Sequence, residues 1–250
     1  MSAAKVAVVT GGGSGIGEAI ALRLADDGMS IGVLDLDGDA AERVAAGLRD
    51  GGHEALGVAV DVSERGAVEA GFAQIRSELG PVAVLVNNAG RDGFRRFVNI
   101  TEEEWNGIIA VNLTGTFHCT QVGITDMLDA GWGRVVNISS SSAQGGQEFM
   151  SHYVSSKAGM IGLTQSLAKE LGPAGITVNT VPPGFIDTPM LRRSEEKGLL
   201  GGSVADHEAR TPVRRVGTGA DIANAVAFLA SEASDYITGQ IIGVNGGRNT

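Results

Sequence analysis

One cysteine in 250 residues, Cys119, leaves no intramolecular disulfide framework to read. The chain is therefore expected in a reducing compartment, the cytoplasm, with Cys119 as a small buried apolar residue. Long apolar runs are also missing. The uncharged stretch from Trp105 to Thr125 is interrupted by Asn106, Asn112, His118 and Gln121, so no membrane partner is expected. The opening run, MSAAKVAVVT, has no charged segment followed by a cleavable apolar one, and no secretory leader is expected. Histidine is scarce: four residues, none at metal-ligand spacing, His152 included, so no metal site is expected. Positive charge is in deficit. A formal net charge of −10 argues against nucleic acid and acidic surfaces as partners and leaves a small-molecule substrate.

What the chain has is glycine, 38 residues of it, and regular alternation. Lys5 to Thr10 is a β-branched run of the kind that forms a buried parallel strand. Gly11-Gly12-Gly13-Ser14-Gly15-Ile16-Gly17 follows, then a helical pattern from Glu18 to Asp27. Strand, glycine turn and helix together form a phosphate cradle, because a pyrophosphate can sit close to the backbone at the positive helix N-terminus. A P-loop is excluded, since Glu18 stands where its lysine would be. A second strand, Ser30 to Asp35, ends in an acid eighteen residues after Gly17. There a carboxylate meets the adenosine ribose of a dinucleotide, although a helix N-cap is the rival role for Asp35. Strands from Ala55 to Val60 and Val82 to Val86, with a helix from about Glu64 to Leu79 between them, continue the alternation. The pattern predicts an α/β fold: one Rossmann-like, doubly wound parallel sheet over residues 1–250. The glycine turn, Asp35, Asp61, Asn88 and Ser140 all fall at carboxyl ends of strands, where such sheets bind ligands.

The segment from Ser139 to Lys157, SSSSAQGGQEFMSHYVSSK, opens a long helical run. Tyr153 and Lys157 lie four apart, on one helix face. A phenol alone, with a pKa near about 10, exchanges protons poorly at neutrality. A nearby ammonium favours the phenolate, and a tyrosine tuned in this way serves as general acid or base. For an isolated YxxxK, a buried tyrosine with a snorkelling lysine is the plainer explanation.

The set of motifs resembles the short-chain dehydrogenase/reductase family, and in particular its 3-oxoacyl-(acyl-carrier-protein) reductases. TGGGSGIG (10–17), Asp61-Val62, NNAG (87–90), Asn112 in AVNLTG, and Ser140 with YVSSK (153–157) match in order. GITVN (175–179), PGFIDTP (183–189) and DYITGQIIGVNGG (235–247) extend the likeness over nearly the whole chain. The resemblance implies a hydride-transferring oxidoreductase acting on a secondary alcohol or ketone with a nicotinamide cofactor. Gly11, Ser14, Ile16 and Gly17 would hold the pyrophosphate side. Asp61 and Val62 would flank adenine, and Asn88, Ala89 and Gly90 the adenosine ribose region. Pro183, Gly184, Ile186 and Thr188 would lie at the nicotinamide. Tyr153 would be the acid/base, and Lys157 would lower its pKa and hold the nicotinamide ribose. Ser140 would bond the substrate oxygen, and Asn112 would hold a water connecting Lys157 to solvent. Ser140 is chosen by its spacing of thirteen residues before Tyr153, with Ser141 and Ser142 as alternatives.

Asn is a mediocre helix former, so an irregular turn is expected at Asn112. Pro182-Pro183 carries a proline where the family often has a smaller residue, which implies a stiffer loop. Residues 188–211 break the alternation and fall where the family has a substrate lid. The helix from Tyr153 to Leu171 is apolar on more than one face, which suggests a partner subunit, and the family is commonly tetrameric.

The cofactor is expected to be NAD, since Asp35 would accept from the ribose hydroxyls and repel a 2′-phosphate, and Leu36 and Asp37 supply no cation. The substrate is expected to be a small ketone or alcohol, or a coenzyme A ester, rather than a group on acidic acyl carrier protein. Neither Leu171-Gly172-Pro173-Ala174 nor Asp129-Ala130-Gly131-Trp132-Gly133 carries a cation; Arg95, Arg96, Arg192 and Arg193 could still form a basic patch. A carrier-protein reductase is the alternative, and a non-catalytic dinucleotide-binding regulator a further one. An epimerase or dehydratase of the extended relatives would need more chain after Thr188 than is present.

Overall fold

A computed structural model describes residues 4–199 and 201–248. Six parallel strands form one sheet in the order β3-β2-β1-β4-β5-β6. They are β1 (Val6–Thr10), β2 (Ser30–Asp35), β3 (Ala55–Ala59), β4 (Val82–Asn87), β5 (Gly133–Ile138) and β6 (Ile176–Val181). Residues of β1, β4, β5 and β6 are buried nearly throughout, which is why these strands read as continuous apolar runs. The segment 239–244 lies parallel beside β6, with the Gly239 N–H donating to Val178 O and the Ile242 N–H to Thr180 O.

Two apolar layers close the sheet. On one face α1 (Gly15–Asp26), α2 (Gly38–Asp50) and α10 (Gly219–Ala230) bury Ile20, Leu24, Val44, Leu48, Ile222 and Val226 against β1 and β2. On the other, α3 (Arg65–Glu78), α5 (Gly115–Ala130) and α7 (Ser151–Leu171) bury Phe72, Ile75, Cys119, Met127 and Leu171. Each fully buried side chain of this size contributes about 1.5–3 kcal/mol. Cys119 is the small buried residue expected, and burial pushes its thiol up to about 12. Shorter helices α4 (Glu102–Ile109), α6 (Ser142–Gly145), α8 (Pro189–Glu196) and α9 (Val204–Arg210) rim the carboxyl edge. No helix among the described residues is long and apolar enough to cross a membrane.

The expected elements recur with small shifts. α1 begins at Gly15 rather than Glu18, so its first turn belongs to the glycine loop itself. α7 begins two residues before Tyr153, which places the tyrosine inside the first turn. The irregularity expected at Asn112 is a π-helical turn, Ala110–Thr114, between α4 and α5. The region 188–211 contains α8 and α9.

Candidate active site

The strand order reverses beside β1: connections run outward through β2 and β3 on one side and through β4, β5 and β6 on the other. The loops after β1 and β4 diverge there and leave a crevice. It opens into a cleft of ≈ 800 Å³ reaching from Asp35 and Asp61 to Tyr153 and the 188–199 segment. Every predicted site residue lines this cleft except Gly17 and Asn112.

At one end the backbone does the shaping. Gly11 and Gly15 take left-handed φ values of 62° and 58°, which an L side chain rarely adopts. A Cβ on Gly17 would lie 2.1 Å from the Gly11 carbonyl oxygen, so a glycine there lets α1 close on the turn. Ser14 sits at the N-cap of α1 with extended backbone and no side-chain cap bond, leaving donors of that helix end directed at the cleft. Asn88 holds the turn from behind: its side-chain amide donates to Thr10 O (3.0 Å) and Gly11 O (2.9 Å). The Asp35 carboxylate accepts from the Gly13 N–H (2.9 Å) and the Asp37 N–H (3.0 Å). The rival role for Asp35 is removed, because Asp37 is the N-cap of α2 and accepts from the Asp39 and Ala40 N–H groups. Sequence reasoning missed Arg43, a cation on α2 that donates to Gly13 O (2.6 Å) and pairs with Glu18. Its spacing from the glycine turn carries no signal in the chain.

At the other end side chains converge. Ser140, Tyr153 and Lys157 come together where β5 ends and α7 begins. The Ser140 hydroxyl pairs with that of Ser142 (2.8 Å) and accepts from the Ser142 N–H (3.2 Å). This orients Ser140, the serine whose hydroxyl bears on the Tyr153 phenol. Ser141 instead donates its N–H to Pro183 O (3.0 Å), tying the serine run to the loop after β6.

The Tyr153 pKa is raised in this arrangement, with burial as the largest cause. The Lys157 ammonium donates to Ile138 O (2.8 Å), and burial pushes the Tyr153 phenol up, against the Ser140 hydrogen bond, with the Asp92 charge adding to the rise. Desolvation outweighs any help to the phenolate. The same burial brings Lys157 itself down to about 8. Asn112, in turn, is fully buried and its side chain is spent on protein. Its oxygen accepts from the Arg91 N–H (2.9 Å), and its amide donates to Arg91 O (3.0 Å) and Ser156 Oγ (3.0 Å). Asn112 pins the loop after β4 to α7 and so fixes the distance between the cleft's two walls. Gly90 makes that approach possible: a Cβ there would lie 3.3 Å from both the Asn112 oxygen and Lys157 Nζ.

Around the mouth, the 183–188 loop is held by Gly184 N–H to Val244 O (3.0 Å) and Asp187 N–H to Gly217 O (2.9 Å). Thr188 caps α8, accepting from the Leu191 N–H (3.2 Å), with Pro189 next. α8 is joined to the loop after β4 through Ser194, which donates to Asp92 (3.1 Å). His152 is buried against Gly93, and burial lowers its pKa. Phe185, His207 and Arg248 form an aromatic and cationic stack at this end, none of them singled out by motif. Arg248 follows directly on the last recognisable motif residue, Gly247.

A sheet of this order with a Ser–Tyr–Lys group opposite a glycine turn defines a dinucleotide-dependent oxidoreductase fold. The chain belongs to the short-chain dehydrogenase/reductase family. Residues 11–249 match that family's model described as "Enoyl-(Acyl carrier protein) reductase". Among curated proteins, the chain is 39% identical over 98% of its length to a (2S)-[(R)-hydroxy(phenyl)methyl]succinyl-CoA dehydrogenase subunit of Thauera aromatica, covering 96% of it. It is 39% identical to the 3-oxoacyl-(acyl-carrier-protein) reductase of Staphylococcus aureus, with 99% of each chain covered. Among solved structures, actinorhodin polyketide ketoreductase with NADPH aligns at a TM-score of 0.95 and 36% identity, covering 99% of this chain and 98% of that one.

Proposed function

We propose that this chain is an NAD(H)-dependent oxidoreductase that interconverts a ketone and a secondary alcohol on a small molecule or a coenzyme A thioester. The observation that carries the reading is one cleft with Ser140, Tyr153 and Lys157 at one end and the glycine turn and Asp35 at the other. The residues fit a dinucleotide. Helix N-terminal donors at Ser14 suit a pyrophosphate, and the Asp35 carboxylate, which lines the cleft, suits ribose hydroxyls. When bound, the nicotinamide supplies or accepts the hydride.

The protein's own chemistry is proton placement. Tyr153, its phenol held protonated at neutral pH by burial, donates to the oxygen of a ketone and recovers the proton from an alcohol. Ser140, oriented by Ser142, donates to the same oxygen and stabilises charge developing there. Lys157 holds the ribose next to the reacting ring, and Asn112 keeps the two walls in register. Asp61 and Val62 face the adenine end, and Pro183, Gly184, Ile186 and Thr188 the nicotinamide end, with 188–211 acting as lid.

NAD is preferred over NADP because Asp35 and Asp37 are acids and Arg43, the nearby cation, is engaged by Glu18 and Gly13 O. That two relatives are carrier-protein or polyketide reductases, one of them solved with NADPH, is the counterweight. Against a carrier protein stand the ion pairs at the mouth. Arg95 is paired with Glu104, and Arg192 with Asp187 and Glu195, which engages two of the four arginines of the basic patch. A coenzyme A thioester is in keeping with the substrate in the name of the Thauera aromatica relative. A homotetramer is favoured by the half-buried Ile161, Leu163 and Leu167 on α7 and the exposed Trp105 and Phe117 nearby in sequence on α4 and α5. The test presents one 3-oxoacyl group on carrier protein, on coenzyme A and as a short free ketone, with NADH and with NADPH. The expected order is NADH over NADPH and the two small forms over the carrier form. A carrier-protein advantage that collapses at high salt would reverse the substrate reading.

A further inference from the structure

We propose that Arg248 receives a carboxylate of the substrate, so that the preferred ketone or alcohol carries a free acid group. The inference rests on the oxidoreductase reading above and names the substrate class of the same cleft. Arg248 lines the cleft. Its guanidinium lies 4.3 Å over the Phe185 ring, and Phe185 stacks on His207 at 3.9 Å. Nη2 donates to His207 Nδ1 (3.1 Å), a contact that needs that nitrogen unprotonated. Phe185 belongs to the loop between Gly184 and Ile186, so the stack fixes the guanidinium beside the reacting end and not the adenine end.

The other terminal nitrogen, Nη1, is enclosed and has no acceptor. No carboxylate among the described residues forms an ion pair with Arg248. The nearby charge that does bear on it is another cation, Arg210. Arginine cannot shed its charge to relieve this, so a half-buried guanidinium with no counter-ion among the described residues is costly until an anion arrives. Arg91 and Arg193 line the same end of the cleft and add to the positive potential. Asp92, the acid at that end, is already bonded by Ser194. A planar fork with one unpartnered arm matches a carboxylate oxygen better than a carbonyl.

The experiment compares 4-oxopentanoate and 5-oxohexanoate with their methyl esters, using NADH and the full-length enzyme. Wild type is expected to prefer an acid to its ester by about tenfold or more in kcat/KM, the worth of one charge-assisted bond. Arg248→Met should erase that preference through KM, the acid losing about tenfold more than the ester, and Arg248→Lys should restore part of it. Equal treatment of acid and ester by wild type, or equal loss on both in Arg248→Met, overturns the proposal. Acetoacetyl-coenzyme A separates the other anion source. A loss in Arg248→Met on that thioester alone would assign the arginine to the coenzyme phosphates, and overturn it too. If no ketone is turned over, the oxidoreductase reading falls by itself and calorimetry decides the arginine's role. 4-Oxopentanoate binding to the wild-type protein with NADH present, but not to Arg248→Met, supports the receptor. Equal binding to both, or none to either, refutes it. Should Arg248→Met lose NADH affinity, the acid and ester comparison is made on Arg248→Lys, where an undiminished preference for the acid supports a retained cation and its complete loss refutes one.

Discussion

The two ends of the cleft are made in different ways. At the Asp35 end, the glycine turn, Asn88 and Asp35 hold one another through backbone donors and acceptors, packed on the buried strands β1 and β2. At the Tyr153 end, the contacts are single hydrogen bonds made by side chains: Ser140 with Ser142, Lys157 with the Ile138 carbonyl, Ser194 with Asp92. A backbone-built site recognises what all dinucleotides share, while a side-chain-built site can be respecified one residue at a time. Substitutions should therefore divide cleanly, with chemistry and substrate selection changing at one end and cofactor choice at the other.

The sharpest break is Tyr153→Phe. It removes the proton and keeps the ring, so dinucleotide affinity should stay while turnover falls by about 10²–10⁴-fold, the usual worth of general acid–base catalysis. Fluorescence titration with NADH and steady-state rates on one ketone measure both. Near-normal turnover would remove Tyr153 from the chemistry.

Lys157 tests whether the Tyr153 end sacrifices stability for function. Its pKa is brought from 10.5 down to about 8 by burial in the unliganded protein. The unfolded chain thus binds more protons between those values, and its linkage contribution makes stability rise with pH from about 8 to about 10.5. The Tyr153 phenol, raised by burial, opposes this only above about 10, where the folded state keeps a proton that the unfolded state loses. Lys157→Met should abolish most turnover yet stabilise the apo-protein at pH 7, by up to about 3 kcal/mol. It should also flatten the wild-type rise in Tm between pH 8 and 10. A variant less stable than wild type at both pH values would mean that the Ile138 bond outweighs the buried charge.

At the opposite end, Asp35→Asn should keep the Gly13 N–H bond through its carbonyl oxygen, give up the Asp37 N–H bond and lose the negative charge. The expected result is a fall of about tenfold in kcat/KM with NADH and a narrower gap to NADPH, with ketone KM unchanged. Unchanged cofactor preference would mean that Arg43, not Asp35, governs the ribose side.

Legibility in the sequence follows the same division. The glycine spacing, Asp35 and NNAG mark their end because backbone constraints impose residue types at fixed offsets, as the close packing of Gly17 on Gly11 shows. YxxxK is legible because a helix sets its spacing. The sign of the tyrosine's pKa shift was not, since burial depth depends on β5, α7 and the loops over them rather than on any neighbour in the chain. Asn112 announced an irregular turn, but which groups its amide would reach, Arg91 and Ser156, depended on the packing of three elements. Phe185 lies within PGFIDTP, but His207 and Arg248, which it meets across other loops, have no local pattern.

The smallest expected effect probes the mouth. Ser194 is buried and donates to Asp92 at 3.1 Å, joining α8 to the loop after β4 over the substrate end. Ser194→Ala deletes one hydrogen bond to a charged acceptor and leaves Asp92, which lines the open cleft, to be satisfied by water. The net cost should be about 1 kcal/mol, since the carboxylate is not stranded. If α8 closes over substrate, that cost is felt only when the mouth is shut: ketone KM should rise about fivefold, with KM for NADH and Tm nearly unchanged. If the contact serves only the resting fold, the same cost appears as a lower Tm with KM intact. Steady-state kinetics and a melting curve on one variant thus separate a working lid from a fixed rim. Equal changes in the KM of ketone and NADH would show that the two ends of the cleft are not independent.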